Sequence, residues 1–160
     1  MNTLEHAVRI TSALADPSRV RLLAACFTGE KCVCQLVALL DLSNATVSKH
    51  LSLLRDAGLL ASRKEGRWVY YRLPETPTPA ASDAIGFVQR HAGRTVEMAA
   101  DKAQMERILA IEPTELCRRQ RAGCCPDDPG RPGKAESDQA EEGRMSGRKP
   151  VSPGTNRSNR

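Results

Sequence analysis

The most constraining feature of this sequence is a pair of short amphipathic helices separated by a very brief turn. Asp41 and Leu42 leave room only for a tight connection, Ser43 is a good N-cap for the second helix, and Gly58 is placed to end it. Helices this short cannot bury their apolar faces alone, so they must pack on each other and on a further helix. This pattern predicts a helix-turn-helix. The apolar positions at helical spacing are Val33, Leu36, Val37 and Leu40, followed by Val47, Leu51 and Leu54.

Two further helices are predicted before this pair. The first spans residues 3 to 15 and has a thin apolar face, which we expect to dock on a second subunit. Asp16 and Pro17 favour the start of the second helix, because aspartate caps free amides and proline at the first helical position loses no hydrogen bond. Cys26 lies beside the second apolar face and is predicted to be a small buried hydrophobe rather than a ligand. The two faces consist of Leu4, Ala7, Val8, Thr11 and Leu14, and then Val20, Leu23, Ala24 and Phe27.

Residues 60 to 73 change from a helical to a strand period. Trp68, Tyr70 and Arg72 alternate with the residues between them, residues 60–63 can form the partner strand, and residues 64–67 form the hairpin tip. After a helix-turn-helix, a basic hairpin is the wing that lies along the phosphate backbone of DNA. The predicted fold class is therefore mainly α with a small β-hairpin, a winged helix-turn-helix.

The C-terminal half divides into a long helix and a polar tail. Ser82 is predicted to cap the helix, which continues towards Pro113 with Ile85, Val88, Ala92, Val96, Ala99 and Ala103 as its stripe. Together with the first helix it is the expected dimer surface, which would place two recognition helices one turn of DNA apart. We predict a DNA-binding and dimerisation domain at 1–112. Residues 113–160, which contain cysteine and are rich in glycine, proline and charge, form a mostly disordered tail.

The open face of the second helix of the pair carries groups that hydrogen-bond to DNA. The N-terminal residues of a recognition helix enter the major groove, where Asn44 could read adenine and Lys49 could contact guanine or phosphate. His50 is ambiguous, and a structural or backbone-contact role is favoured over base reading. The basic hairpin and the net charge of +5 agree with a polyanionic partner. The predicted DNA-contacting residues are Ser43, Asn44, Thr46, Ser48, Lys49, His50, Arg63, Lys64 and Arg67.

Two thiols, Cys32 and Cys34, stand at the start of the helix-turn-helix. In a regular helix this spacing puts the side chains on roughly opposite faces, so both bind one ion only where the first turn is not helical. An ion held by both sulfurs would unwind this turn and shift the helix that packs against the DNA reader. Arsenite, antimonite, cadmium and lead suit thiolates, and zinc is borderline. Lys31 and the helix N-terminus would favour the thiolate form.

Cysteine usage and the absence of a membrane or signal segment predict a cytoplasmic protein. No apolar run approaches the roughly 20 residues that cross a bilayer, and the N-terminus lacks the pattern of a signal peptide. The six cysteines should then be reduced, which favours metal or reactive chemistry over a disulfide framework. A second group, Cys117, Cys124 and Cys125, could supply further sulfur ligands or could be incidental to a flexible tail.

Together, these motifs resemble the arsenical-resistance operon repressors of the ArsR/SmtB family, over roughly residues 3 to 100. The resemblance implies a homodimer that binds double-stranded operator DNA without a cofactor and leaves it when As(III) or Sb(III) binds. The best-known arsenic version has the motif Cys-Val-Cys-x-Leu-Cys, and here Val37 takes the last position. The third sulfur could then come from Cys117, Cys124 or Cys125, in this subunit or the other. The matching segments are Cys32-Val33-Cys34-Gln35-Leu36, Leu42-Ser43-Asn44-Ala45-Thr46-Val47-Ser48-Lys49-His50-Leu51, Leu54-Arg55-Asp56-Ala57-Gly58-Leu59 and the hairpin from Arg63 to Leu73.

Alternatives to an arsenic-responsive repressor stay open at this level. One keeps the fold and replaces the inducer with Cd(II), Pb(II) or a methylated arsenical. Another is a thiol–disulfide enzyme, which is disfavoured because the usual redox motif separates its cysteines by two residues in a βαβ setting. A third is a DNA-binding protein without an effector. We therefore expect a DNA-binding regulator and not an enzyme.

Overall fold

The computed structural model describes residues 3–120, which form a winged helix-turn-helix of mainly α-helical structure with a small antiparallel sheet. A 3-10 turn, Cys26–Thr28, leads into the first strand. In chain order the elements are α1 (Thr3–Leu14), α2 (Pro17–Ala25), β1 (Lys31–Cys32), α3 (Val33–Leu40), α4 (Asn44–Asp56), β2 (Ala61–Glu65), β3 (Trp68–Arg72), α5 (Pro79–His91), α6 (Val96–Leu109) and α7 (Pro113–Arg119).

Side-chain caps determine where several of the helices begin. The carboxylate of Asp16 accepts a hydrogen bond from the Arg19 amide at 3.1 Å, and the hydroxyl of Ser43 accepts one from the Thr46 amide at 3.2 Å. These bonds satisfy amides that have no partner within the helix, and they confirm both predicted caps. Thr78 caps α5 in the same way, with Pro79 at the first helical position.

The core lies where α2, α3 and α4 meet, as the helix-turn-helix pattern predicts. Its most completely buried side chains are leucines, each of which stabilises the fold by about 1.5–3 kcal/mol relative to exposure. Asp41 connects α3 to α4 in a left-handed conformation (φ 53°), which shortens the turn. The fully buried leucines are Leu22, Leu23, Leu36, Leu51, Leu54 and Leu59.

The sheet has three strands, in the order β1–β3–β2, where the sequence predicted only a two-stranded hairpin. The hairpin strands pair from Ala61 with Arg72 to Glu65 with Trp68. The additional strand consists of Lys31 and Cys32, which pair with Tyr71 and Tyr70 of β3. A two-residue strand has no detectable period, so the sequence pattern could not have indicated it.

The prediction of one long C-terminal helix is wrong in two respects. It begins after Thr78 rather than at Ser82, and it is divided into α5 and α6. Gly93 donates its amide to the Val88 carbonyl, a closure typical of a helix end, and Thr95 then caps α6. Val96, which was placed in the apolar stripe, is consequently 83% exposed. After this break α6 turns back and packs on α2 and α3.

The predicted face of α1 points mostly outward. Leu4 and Val8 are exposed, whereas Ile10 and Ala13 are buried against the rest of the fold. The sequence also did not predict α7, which forms at the start of the proposed tail and packs on α3. Cys124 and Cys125 lie outside the described residues.

Candidate functional site

The N-terminal end of α4 presents the polar side chains that were predicted to read DNA. Ser43, Thr46, Ser48 and Lys49 are exposed, and Asn44 is half-buried. The Ser43 hydroxyl lies 2.8 Å from that of Thr46 as well as accepting from the Thr46 amide, so Ser43 organises the start of the helix. Because Val47, Leu51 and Leu54 fix the opposite face in the core, the orientation of this polar face is set by packing.

His50 lies against the N-terminal half of the fold. Its Nδ1 is 3.5 Å from Nη1 of Arg19, whose guanidinium also donates to the carbonyls of Ala13, at 2.6 Å, and Ser12, at 3.0 Å. Arg19 therefore ties α1, α2 and α4 together. The geometry supports the structural role that was favoured for His50.

The basic residues of the wing differ in how strongly they are already paired. Arg63 makes a bidentate ion pair with Glu30, at 2.6 and 2.7 Å, pairs also with Glu65, and stacks on the Tyr70 ring. The hydrogen bond from Arg63 lowers the pKa of the Glu30 carboxyl. Arg67 lies over the Trp68 ring, 5.1 Å from its centroid, and Lys64 is exposed beside the turn. Lys64 and Arg67 are therefore better candidates for phosphate contacts than Arg63.

The structure brings Cys32 and Cys34 together without any unwinding of α3. Cys32 precedes the helix in an extended conformation (φ −78°, ψ 157°) as its N-cap, and Cys34 lies in the first turn. Their Cα atoms are 5.5 Å apart and their sulfurs are joined in a disulfide. The Gln35 side chain accepts a hydrogen bond from the Cys32 amide at 2.9 Å and holds this conformation. The two sulfurs are thus adjacent but oxidised, contrary to the expected reduced state, and both cysteines are 1% exposed.

A buried cation lies next to this pair in the chain. Lys31 is 2% exposed and donates from Nζ to the Gly29 carbonyl at 2.9 Å and the Thr28 hydroxyl at 3.4 Å. Burial lowers the pKa of its ammonium group. The same environment raises the pKa of the Cys26 thiol to about 12, because desolvation disfavours the thiolate. Cys26 therefore stays protonated near neutral pH and does not act as a soft ligand, in agreement with its predicted structural role.

The only further cysteine in the described part of the chain, Cys117, lies on α7. That helix packs on α3 and buries Leu116, and Cys117 is partly buried beside the core. The Cys117 sulfur is also disulfide-bonded, so ligation by any of these three cysteines requires the reduced protein. Within residues 3–120 no group of three or more His, Cys, Asp or Glu side chains is arranged to hold a metal ion. Coordination of an ion by three sulfurs would therefore require a further thiolate besides Cys32 and Cys34.

The Cys32–Cys34 pair lies at the junction of the two elements that are predicted to contact DNA. Cys32 belongs to β1 and pairs with Tyr70 in the wing, while Cys34 belongs to α3, which packs on the reader helix α4. Sequence reasoning missed the first connection because β1 is so short. It also missed Gln35, although a polar residue three positions after an N-cap is a known signal for a capping arrangement.

Known proteins are similar to this chain over the region just described. Residues 16–62 match the model of the arsR family of bacterial regulatory proteins. The arsenical resistance operon repressor of Escherichia coli is 46% identical over 76 residues, 46% of this chain and 65% of that protein. The cadmium resistance regulatory protein CadC homolog of Staphylococcus aureus is 40% identical over 68 residues, 42% of this chain and 56% of that protein.

A longer match reaches into the C-terminal helices. The HTH-type transcriptional regulator CmtR of Mycobacterium bovis is 34% identical over 114 residues, which is 71% of this chain and 80% of that protein. The arsenic-resistance relatives are matched over only 55% to 65% of their own length. None of the helices within residues 3–120 is long and apolar enough to cross a membrane.

Proposed function

This chain belongs to the ArsR family of bacterial regulatory proteins, and on that premise we propose that it is a dimeric, cytoplasmic repressor of an arsenic-resistance operon. Its inducer is As(III) or Sb(III), held by the thiolates of Cys32 and Cys34. Membership of a family of DNA-binding regulators excludes the alternative of a thiol–disulfide enzyme. The observation that supports the inducer site best is the convergence of two buried cysteines where the helix-turn-helix meets the wing.

In this proposal the ion acts on both DNA-contacting elements at once. A cellular thiol reductant opens the Cys32–Cys34 disulfide by exchange and is itself oxidised to a disulfide, and the released Cys32 and Cys34 thiolates would then hold the ion. The resulting shift of Cys32 is passed to β3 through the Tyr70 pairing, and that of Cys34 to α4 through α3. Because Cys32 precedes α3 in an extended conformation and its sulfur already lies beside that of Cys34, small displacements of β1 and α3 replace the helix unwinding that the sequence suggested.

The two-sulfur geometry also favours a second candidate inducer. Trivalent arsenic takes three sulfurs in a pyramidal site, whereas a monomethylated arsenical has only two positions left for thiolates. Cys32 and Cys34 supply two, and Val37 stands where the third would be. For inorganic arsenic, Cys117, Cys124 or Cys125 must contribute. Cd(II) and Pb(II) are the remaining alternatives with the same DNA-release mechanism.

The experiment that tests this proposal is a titration of the reduced full-length protein bound to its own fluorescently labelled promoter. Arsenite, antimonite, methylarsenite, cadmium, lead and zinc are added separately, and release is followed by fluorescence anisotropy. Cys32→Ser and Cys34→Ser should bind DNA normally and resist release, while Cys26→Ser serves as the buried-cysteine control. Normal release of both site variants would refute the sensing role.

A further inference from the structure

A side-chain hydrogen bond links the C-terminal helix α7 to the thiol site. Gln120 donates from Nε2 to the backbone carbonyl of Cys34 at 2.7 Å, across 86 residues of sequence. The backbone N–H of Gln120 donates a hydrogen bond to the Leu116 carbonyl, so this residue closes the last turn of α7. The hydrogen bond therefore joins the end of one helix to the first turn of another, at the cysteine that is proposed to bind the inducer.

The surroundings of Gln120 differ sharply from those of its neighbours in sequence. Glu115 pairs with Arg118 and Arg119 on the exposed side of α7, and these pairs lower the pKa of Glu115 to about 2. They hold no other element. On the inner side Leu116 is buried, and the Gln120 side chain reaches the Cys34 backbone. Once the Cys117 disulfide is reduced, the buried Leu116 and the Gln120 hydrogen bond remain to hold α7 on the core.

The amide oxygen of Gln120 is buried and has no hydrogen-bond partner among the residues that the structure describes. Burying an unpaired carbonyl is unfavourable, so such a group calls for an explanation. The Nε2 bond to Cys34 holds the oxygen in this position at that cost.

Helical spacing links Gln120 to the third thiol. Cys117 precedes it by three positions, and residues three apart lie on the same side of a helix. An interaction that fixes Gln120 on α3 therefore also fixes the side of α7 on which Cys117 lies. A helix of only seven residues has little stability of its own, which makes this attachment important.

We propose that Gln120 is a positioning residue of the sensor, which holds α7 against the first turn of α3 so that the Cys117 thiolate reaches the ion bound by Cys32 and Cys34. This inference rests on the proposed function and adds the selection of the third ligand. Groups of this kind, one step removed from the metal, typically change metal affinity by roughly 10- to 100-fold.

The test uses reduced full-length protein, cadmium as the probe, and the variants Gln120→Ala, Gln120→Glu and Cys117→Ser. Gln89→Ala, an exposed glutamine on α5, is the matched control. Thiolate-to-cadmium absorption per bound ion reports the number of sulfur ligands. We expect roughly 10-fold weaker binding in both Gln120 variants. The absorption per ion should fall to the level of Cys117→Ser, and operator affinity without metal should be unchanged.

Two outcomes would overturn the positioning role. Unchanged absorption and affinity in Gln120→Ala would show that the hydrogen bond is dispensable. Binding by Gln120→Glu at least as tight as in the original protein would show that the oxygen is itself a ligand, because glutamate keeps the acceptor and loses the donor.

A second measurement needs no metal and so separates this inference from the proposed function. Amide hydrogen exchange in the reduced, metal-free protein should become faster in α7 of Gln120→Ala and stay unchanged in α5. Unchanged exchange in α7 would refute the inference even if the protein senses arsenic. Faster exchange together with normal DNA binding and no response to any ion would refute the proposed function and keep the attachment of α7.

Discussion

Among single residues, Cys26 and Lys31 show that burial near the thiol site disfavours charged side chains. Both lie close to the thiol site in sequence, yet burial keeps the Cys26 thiol protonated and lowers the pKa of Lys31. The Cys26 sulfur donates a weak hydrogen bond to the Tyr71 carbonyl at 3.7 Å, next to β1. Cys26 therefore contacts β3, the strand with which the Cys32 strand pairs, and its protonated thiol would not compete for a soft ion.

The raised pKa of Cys26 predicts an alkaline loss of stability. Folding disfavours the thiolate, so its contribution is fully present below the ordinary pKa of 9.0 and is lost as pH rises towards about 12. The difference in the urea midpoint between the original protein and Cys26→Ala should shrink from pH 8 to pH 10. Lys31 titrates nearby but is common to both proteins, so the comparison removes most of its effect. A constant difference across this range would contradict the assignment.

Unequal pairing in the wing predicts unequal salt dependence. Lys49→Ala and Lys64→Ala should each weaken operator binding and reduce the slope of log K against log salt by roughly one unit, as the loss of one phosphate contact requires. Arg63→Ala should leave the slope nearly unchanged, because its guanidinium is occupied by Glu30 and Glu65. Anisotropy titrations at several salt concentrations measure these slopes. If Arg63→Ala reduces the slope by the same amount, Arg63 must exchange its ion pairs with Glu30 and Glu65 for a phosphate contact when the protein binds DNA.

The residues that the sequence could predict are those whose partners lie nearby in the chain. Ser43 caps the helix that directly follows it, and Cys32 meets Cys34 two positions away because Cys32 lies outside the helix, the condition that their spacing required. Gln120 and Cys34 meet only through packing of α7 on α3, and nothing in their sequence spacing indicates it. The pairing of Arg63 with Glu30 is non-local for the same reason.

At the level of elements, helix ends were predicted well where a cap and a breaker stood together. Gly58 ends α4 with a left-handed φ of 73°, and the Leu59 amide bonds back to the Leu54 carbonyl. The break between α5 and α6 was missed because the apolar period continues through it. Packing of α6 on α2 and α3, which local period does not show, decides that break.

Two glycines should respond to alanine in opposite directions. Gly58→Ala is expected to destabilise the protein by about 1 kcal/mol, since only glycine adopts its positive φ without strain. Gly86→Ala, inside α5, should stabilise by about 0.5–1 kcal/mol, because the added methyl meets only the flexible end of Arg90. Urea denaturation measures both changes. Equal effects of the two substitutions would show that backbone conformation does not control stability at these positions.

For the whole molecule, the exposed apolar residues indicate how two copies would associate. Leu4 and Val8 lie one turn apart on α1, Phe87 is 57% exposed on α5, and these two helices pack on each other. The Phe87 ring also contacts that of His91, 4.8 Å between centroids. The proposed dimer therefore uses the start of α1 and the outer face of α5. The α6–α7 segment, by contrast, packs on the thiol side of the same subunit.

Because the proposed dimer surface and the thiol site lie on different elements, a substitution in α1 should give a monomer that still binds metal. Val8→Asp places a charge within the exposed apolar face of α1, and the cost of desolvating it should dissociate the dimer. Since a dimer binds two half-sites together, operator affinity should fall by orders of magnitude while the reduced monomer still binds cadmium at Cys32 and Cys34. Sedimentation velocity and anisotropy measure the two effects. Val96→Asp, at an exposed position on α6, is the matched control and should remain dimeric. A dimeric Val8→Asp protein would place the interface elsewhere, and loss of cadmium binding in the monomer would place a ligand in the partner subunit.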